Sequence, residues 1–311
     1  MNYAELTSLL GYILVLMVPY SLASMGIMVG GRVGVFNVST EGVMLSGASA
    51  AFLVTYFSGS YTLGILSGIG VGLLIGLMMT FFANKLKIDQ FIVGILLYIF
   101  ATGFGSLLYK EIIGITLYPP RVNLLPRIKI PLLSQIPYLG PILFNQDAIV
   151  YITILIALLL YYLLFKTSFG LKIRSIGENP RAADALGINV FLMRHIFTLI
   201  GSALMGMAGA YLALGFTGIY TNTIVSGRGW ISIAITIFGR WNPLWILVGA
   251  LLFAGVEVLV YTLQAMEVSM PYQVLMMLPF IITLLILIYT SRKAEMPAAL
   301  GKPYDRESIE E

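Results

Sequence analysis

The chain has 311 residues, 59% hydrophobic and 10% charged, with 18 Lys and Arg, 14 Asp and Glu, and no cysteine. Soluble domains carry roughly a quarter charged residues, so this composition and a mean hydropathy of +0.94 exclude an ordinary soluble domain and describe a polytopic membrane protein. The net charge of +4 comes from basic residues scattered at the ends of apolar runs, a topology pattern rather than a nucleic-acid surface; the lack of cysteine excludes disulfide and thiol chemistry.

In chain order, the opening MNYAELTSLL has no basic region, and the apolar run after it has no small-residue cleavage site, so it reads as a retained span. A crossing helix needs about 20 apolar residues. Such runs lie at Leu9–Val29, Gly34–Phe57, Thr62–Ala83, Ile88–Tyr109, Ala148–Phe165, Phe191–Phe216, Pro243–Leu263 and Tyr272–Tyr289. Trp230–Phe238 is too short alone and crosses only if Ile219–Gly229 contributes. The expected fold is all-α, one transmembrane domain over residues 1–311 with eight or nine spans, one or two of them short or broken.

Orientation follows from the basic residues of the connections. If all nine runs cross, Arg32, Lys85, Lys87, Lys166, Lys172, Arg174, Arg181, Arg240, Arg292 and Lys293 share one side, which reads as the cytoplasm. The N-terminus is then outside, and the 175–189 connection and the 291–311 tail are inside. The 110–147 connection is placed outside although it carries Lys110, Arg121, Arg127 and Lys129. Its YPPRVNLLP and IPLLSQIPYLGP stretches predict an ordered loop resting on the bilayer or the protein.

Two spans are unusual. GVFNVSTEGVMLSGASAAFLV opens with Asn37, Ser39, Thr40 and Glu41, and a carboxylate at this depth must face protein or water. This polar start fits an unwound helix lining a cavity, and the small residues from Ser46 to Ala51 fit close helix packing. GIYTNTIVSGRGWISIAITIFGRWNP is broken by Gly227, Arg228 and Gly229, and again by Arg240 to Pro243. The GRVG at Gly31 and the GRGW at Gly227 are expected on opposite membrane faces, as in transporters built from inverted repeats. Glu257 is a further intramembrane charge, either paired structurally or lining a path. His195 follows Arg194 at the start of a span and reads as an interface residue.

No GxxxxGK[ST], HExxH or GxSxG occurs, and no metal-ligand cluster or cofactor motif. A transporter without its own nucleotide site is left, driven by another protein or by an ion gradient. The segment SIGENPRAADALGIN bears on that choice. Asn179 is a good N-cap, Pro180 suits the first helical position and Gly187 suits a left-handed stop. The helix between them is too short to be stable alone. With Ala182, Ala183, Ala185 and Leu186 beside Arg181 and Asp184, it reads either as a docking surface held by a cytosolic partner or as a connector on the membrane.

Four blocks, GVFNVSTEGVMLSGA, SIGENPRAADALGIN, GRGWISIAITIFGRWNPLW and PAALGKPYDRE, together resemble the permease subunit of binding-protein-dependent ABC importers of the simple-sugar and nucleoside type, relatives of the ribose permease. The resemblance runs from about Gly30 to Glu307. It implies a multi-pass protein of the cytoplasmic membrane, embedded in lipid, whose loop Gly177–Asn189 couples to a cytosolic ABC ATPase through Glu178, Asn179, Arg181, Asp184 and Gly187. It also implies a second, non-identical permease subunit and an extracellular lipoprotein or periplasmic binding protein that delivers a nucleoside or simple sugar. Many relatives have FNIGAEGQ where this chain has FNVSTEGV, so Val43 lacks an amide found in them. Asn37, Glu41, Arg228 and Trp230 are the candidates for the substrate path. The competing reading is an ion-coupled secondary transporter using Glu41 or Glu257.

Overall fold

The structure, a computed structural model, describes residues 3–114, 118–131, 133–137, 139–266, 272–291 and 296–305. It is helical almost throughout. The elements are α1 (Tyr3–Gly31), α2 (Thr40–Ser58), α3 (Tyr61–Met79) with a π-helical extension Thr80–Lys85, α4 (Gln90–Ile113), α5 (Leu139–Leu143), α6 (Ala148–Lys166), α7 (Ser168–Glu178), α8 (Pro180–Ala185), α9 (Val190–Tyr211) with a π-helical extension Leu212–Thr217, α10 (Arg228–Phe238), α11 (Pro243–Ala265) and α12 (Tyr272–Ser291). Strands β1 (Arg127–Lys129) and β2 (Asn145–Asp147) form a small antiparallel hairpin with Arg127 opposite Asp147.

Among the described residues, six helices are long and apolar enough to cross a membrane: α1, α3, α4, α6, α9 and α11, with α3 and α9 counted through their π extensions. The polar residues that begin α2 and the shortness of α10 dilute the signal of those two segments. Short polar side chains set where several helices start. Asp89 caps α4 by accepting from the Phe91 and Ile92 amides at 2.9 and 3.0 Å, and Asp147 does the same for α6. Each cap satisfies amides that the helix itself leaves without a partner.

The most apolar windows of α1 and α9 are 89% and 72% buried, whereas those of α4 and α6 are 28% buried, so α1 and α9 form the axis and the other two face outward. The helices meet through glycine. A Cβ on Gly206 of α9 would lie 2.2 Å from the Gly68 carbonyl oxygen of α3, and one on Gly209 would lie 1.9 Å from the Met44 carbonyl oxygen of α2. Such contact lets backbones approach closely where the hydrophobic effect offers no drive between helices in lipid.

The chain's two ends differ. At one, here called the α8 end, residues 32–39, the π turn after α3, α7, α8, the turn 239–242 and residues 296–305 gather. At the other, the 110–147 connection folds over α1 and α9. Its first residues, up to Ile113, belong to α4. Beyond them the Val122 amide donates to the Gly218 carbonyl at 2.9 Å, the Gln146 side chain donates to the Gly11 carbonyl at 3.4 Å, and Asp147 accepts from the Tyr211 hydroxyl at 2.6 Å. The basic side chains of this connection stay exposed while its backbone and Asp147 are tied to the protein.

Candidate functional site: a helix junction inside the membrane

The span expected from Ile219 onward is a coil followed by a half-length helix. Gly218 lies against the 110–147 connection, and Trp241 packs on Gly31 at the α8 end, where its ring leaves no room for a Cβ. The 11 residues of α10 rise about 16 Å, roughly half the ~30 Å hydrocarbon core, so the helix is too short to cross alone. Left-handed backbone at Ser226 (φ 48°) and Gly227 (φ 81°) turns the coil into the helix. Gly31 lies at the α8 end, and Gly227, half-buried, lies at the far end of α10 from it.

Glu41, in the first turn of α2, meets this N-terminus. Its two carboxylate oxygens accept from the Gly227 and Gly229 amides, each at 2.7 Å. A carboxylate from one helix thus caps another, where amides without helical partners and the helix dipole both favour negative charge. A Cβ on Gly229 would lie 2.6 Å from the Glu41 Cα, so glycine is required there.

Arg228 points the other way. Its guanidinium forms a buried ion pair with Glu257 of α11. Glu257 also accepts from the Tyr20 hydroxyl of α1 at 2.8 Å and the Tyr261 hydroxyl at 2.7 Å. Arg228 donates onward to the Ile224 and Val225 carbonyls at 2.9 and 3.2 Å, which fixes the coil before the helix. The geometry settles the alternatives for Glu257 in favour of structural pairing.

Asn37 lies outside this junction. It is 3% exposed, donates to Ser202 of α9 at 3.2 Å and accepts from the Ser39 amide and hydroxyl, shaping the approach to α2. Trp230 is 40% exposed and meets Tyr98 of α4 edge-on, ring centroids 5.6 Å apart. Two hollows involve residues of α4, and Trp230 lines only the second. One of about 620 Å³ lies toward the end opposite α8 and is lined by Ser106, Tyr109, Lys110, Tyr220, Thr221 and Asn222. The other, about 400 Å³ and apolar, is lined by Phe36, Val38, Phe91, Trp230, Ile233 and Phe280. Sequence reasoning passed over the first. Its signal on α4 was Ser106 and Tyr109, polar side chains three residues apart on one helix face.

At the α8 end the expected local chemistry is present. The Asn179 side chain accepts from the Ala182 amide at 3.0 Å, Pro180 opens α8, and Gly187 is left-handed with φ 81°. Ala183 is buried while Leu186 is 81% exposed. Nearby, burial and then the like charge of Arg174 draw the Arg32 guanidinium down to about 10; it remains charged at neutral pH and donates to the Trp241 carbonyl at 2.7 Å.

Residues 9–287 match the family described as branched-chain amino acid transport system, permease component. The chain belongs to this family. The guanosine ABC transporter permease protein NupQ of Bacillus subtilis is 34% identical, with 94% of each chain covered. The nucleoside ABC transporter permease protein NupC of Lactococcus lactis is 34% identical over 92% of this chain and 93% of its own. TsgC13 of Haloferax volcanii, named as a candidate glucose ABC transporter permease protein, is 31% identical over 92% and 94%.

The protein is thus a multi-pass membrane subunit of an ABC importer of the simple-sugar and nucleoside permease type, and ATP hydrolysis belongs to a separate ATPase subunit. The ion-coupled reading is set aside. Glu257 is tied to an arginine and two tyrosines and Glu41 to two backbone amides, so both carboxylates have structural partners.

Proposed function

We propose that the chain is one of two paired, non-identical permease subunits that carry a nucleoside or simple sugar into the cytoplasm by alternating access. Nine passes place the N-terminus outside and the α8 end inside. The ATPase receives the 175–189 loop, touching Glu178, Asn179, Arg181, Asp184 and Gly187, and its closure rocks the paired subunits. An extracellular lipoprotein or periplasmic binding protein delivers the ligand. The names of the relatives, for guanosine, nucleosides and glucose, support this ligand class.

The observation that carries the reading is α8 itself: a capped helix of six residues presenting Leu186, 81% exposed, beyond the end of the bundle. For the path, the flank of α4 and α10 is favoured, because the hollow lined by Ser106, Tyr109, Tyr220 and Asn222 combines aromatic faces with polar groups. Glu41 and Arg228 hold that flank in shape, Trp230 lines it, and Asn37 supports it from behind.

Leu186→Asp tests the docking. An exposed tip contributes little to the fold, whereas a hot-spot contact is worth about 2 kcal/mol or more. The variant is expected at normal levels in the membrane, with at least tenfold less ATPase co-purified and uptake lost. Uptake equal to that of the unaltered protein would rule out α8 as the docking helix.

A further inference from the structure

We infer that residues 296–305 are positioning residues for transport: a strap that joins α8 to the stretch leading into α2, so that displacement of the docking helix reaches the junction inside the membrane. The inference rests on the reading of α8 as the ATPase's contact.

A helix of six residues is not stable alone, and its cap secures only its first turn. Asp184 in that helix, and the end of α7 just before it, are held from within the chain. The Tyr304 hydroxyl donates to Asp184 of α8 at 2.9 Å, the Ala299 amide donates to the Gly177 carbonyl at 2.9 Å, and the Ala298 amide donates to the Glu178 carboxylate at 3.5 Å. The Tyr304 ring lies 5.3 Å from that of Phe191 and 5.7 Å from the Arg194 guanidinium, centroid distances that place it between α8 and α9.

The same ten residues grip the lead into α2. The Gly301 amide donates to the Gly34 carbonyl at 3.2 Å. The Lys302 carbonyl accepts from Arg194 of α9 at 3.0 Å and from the Gln90 side chain of α4 at 3.3 Å. Gln90 accepts in turn from the Phe36 amide at 2.7 Å, and Arg194 donates to the Val33 carbonyl at 3.0 Å. From Phe36 the chain runs through Asn37, locked to Ser202 and Ser39, to Glu41 on the N-terminus of α10. Gly34, left-handed with φ 82°, leaves no room for a side chain, since a Cβ would lie 2.8 Å from Arg194 and 3.0 Å from the Ala299 carbonyl oxygen. A strap bonded to both partners moves with both, whereas independent packing of α8 would leave α2 unaware of it.

Tyr304→Phe removes the bond to Asp184 and keeps the ring. The whole importer, with both permeases, ATPase and binding protein, is reconstituted in liposomes, and ligand uptake and ATP hydrolysis are read together. The expected result is an assembled complex with hydrolysis retained and uptake per ATP lowered about two- to tenfold, the range of one hydrogen bond. Deleting residues 296–311 is expected to abolish uptake while the ATPase still binds and hydrolyses. An unchanged ratio in Tyr304→Phe, or loss of ATPase from the complex in proportion to uptake, would overturn the strap alone. Normal uptake by Leu186→Asp would overturn the reading of α8 and the strap with it.

Discussion

Arg228 and Glu257 have side chains 5% and 10% exposed, so their pairing is a buried one. Removing one partner of such a pair strands a charge and costs about 3–5 kcal/mol, while replacing both by apolar groups is often neutral. Glu257→Ala is therefore expected to lower thermal stability in detergent sharply, and an Arg228→Leu, Glu257→Leu double variant to recover most of the loss. If the double variant were as unstable as the single one, the pair would have a role beyond mutual neutralisation. Glu41→Gln keeps one acceptor for α10 but turns an amide donor toward the other backbone N–H. A bond to a charged group is worth about 1.5–3 kcal/mol, and a loss of that size is expected in the same assay. The sequence marks all three charges as unusual, because charge is costly in a span. It does not reveal their partners, which lie 29 and 186 residues away and are brought together only by packing.

The long helices were legible because length and hydropathy determine them: α6 begins at Ala148 and α11 at Pro243, as their apolar runs do. The start of α2 at Thr40 was less so, since six residues from Gly34 that read as part of the run lie before the helix. The caps of α8 were legible for a local reason, as Asn179, Pro180 and Gly187 act within their own turns. What steadies α8 was not: the expected brace was a partner protein, and the structure adds the chain's own residues 296–305, working largely through backbone groups that leave no side-chain pattern. Helix packing gives its own test. Gly206 touches backbone of α3, whereas a Cβ on Gly70 of that helix would meet nothing within 4 Å. Gly206→Ala is expected to cost about 1–3 kcal/mol through forced separation of α3 and α9, and Gly70→Ala to be neutral or slightly stabilising, as measured by melting in detergent. Equal effects would mean that the helices can part without cost.

For the molecule as a whole, α8 and the hollow lined by Ser106 and Asn222 sit at opposite ends of the same bundle, and transport requires that these ends face different compartments. Basic residues gather at the α8 end, but Arg121, Arg127 and Lys129 occupy the other, so charge alone does not decide the orientation. The connection that holds them is bonded to Gly218, Leu214 and Gly11, and its helix cap Asp147 is secured by Tyr211, so its placement follows from tertiary contacts rather than from its charge. The chain contains no cysteine, so single substitutions report on each end without background. With a thiol reagent that does not cross membranes, Asn222→Cys, lining that hollow, is expected to react in intact cells and Leu186→Cys only in inside-out vesicles. Bound ligand-loaded binding protein should shield Asn222→Cys, and bound ATPase should shield Leu186→Cys. Labelling of both from one side would refute the nine-pass arrangement, and reversed labelling would invert it, leaving α8 unable to meet a cytosolic motor.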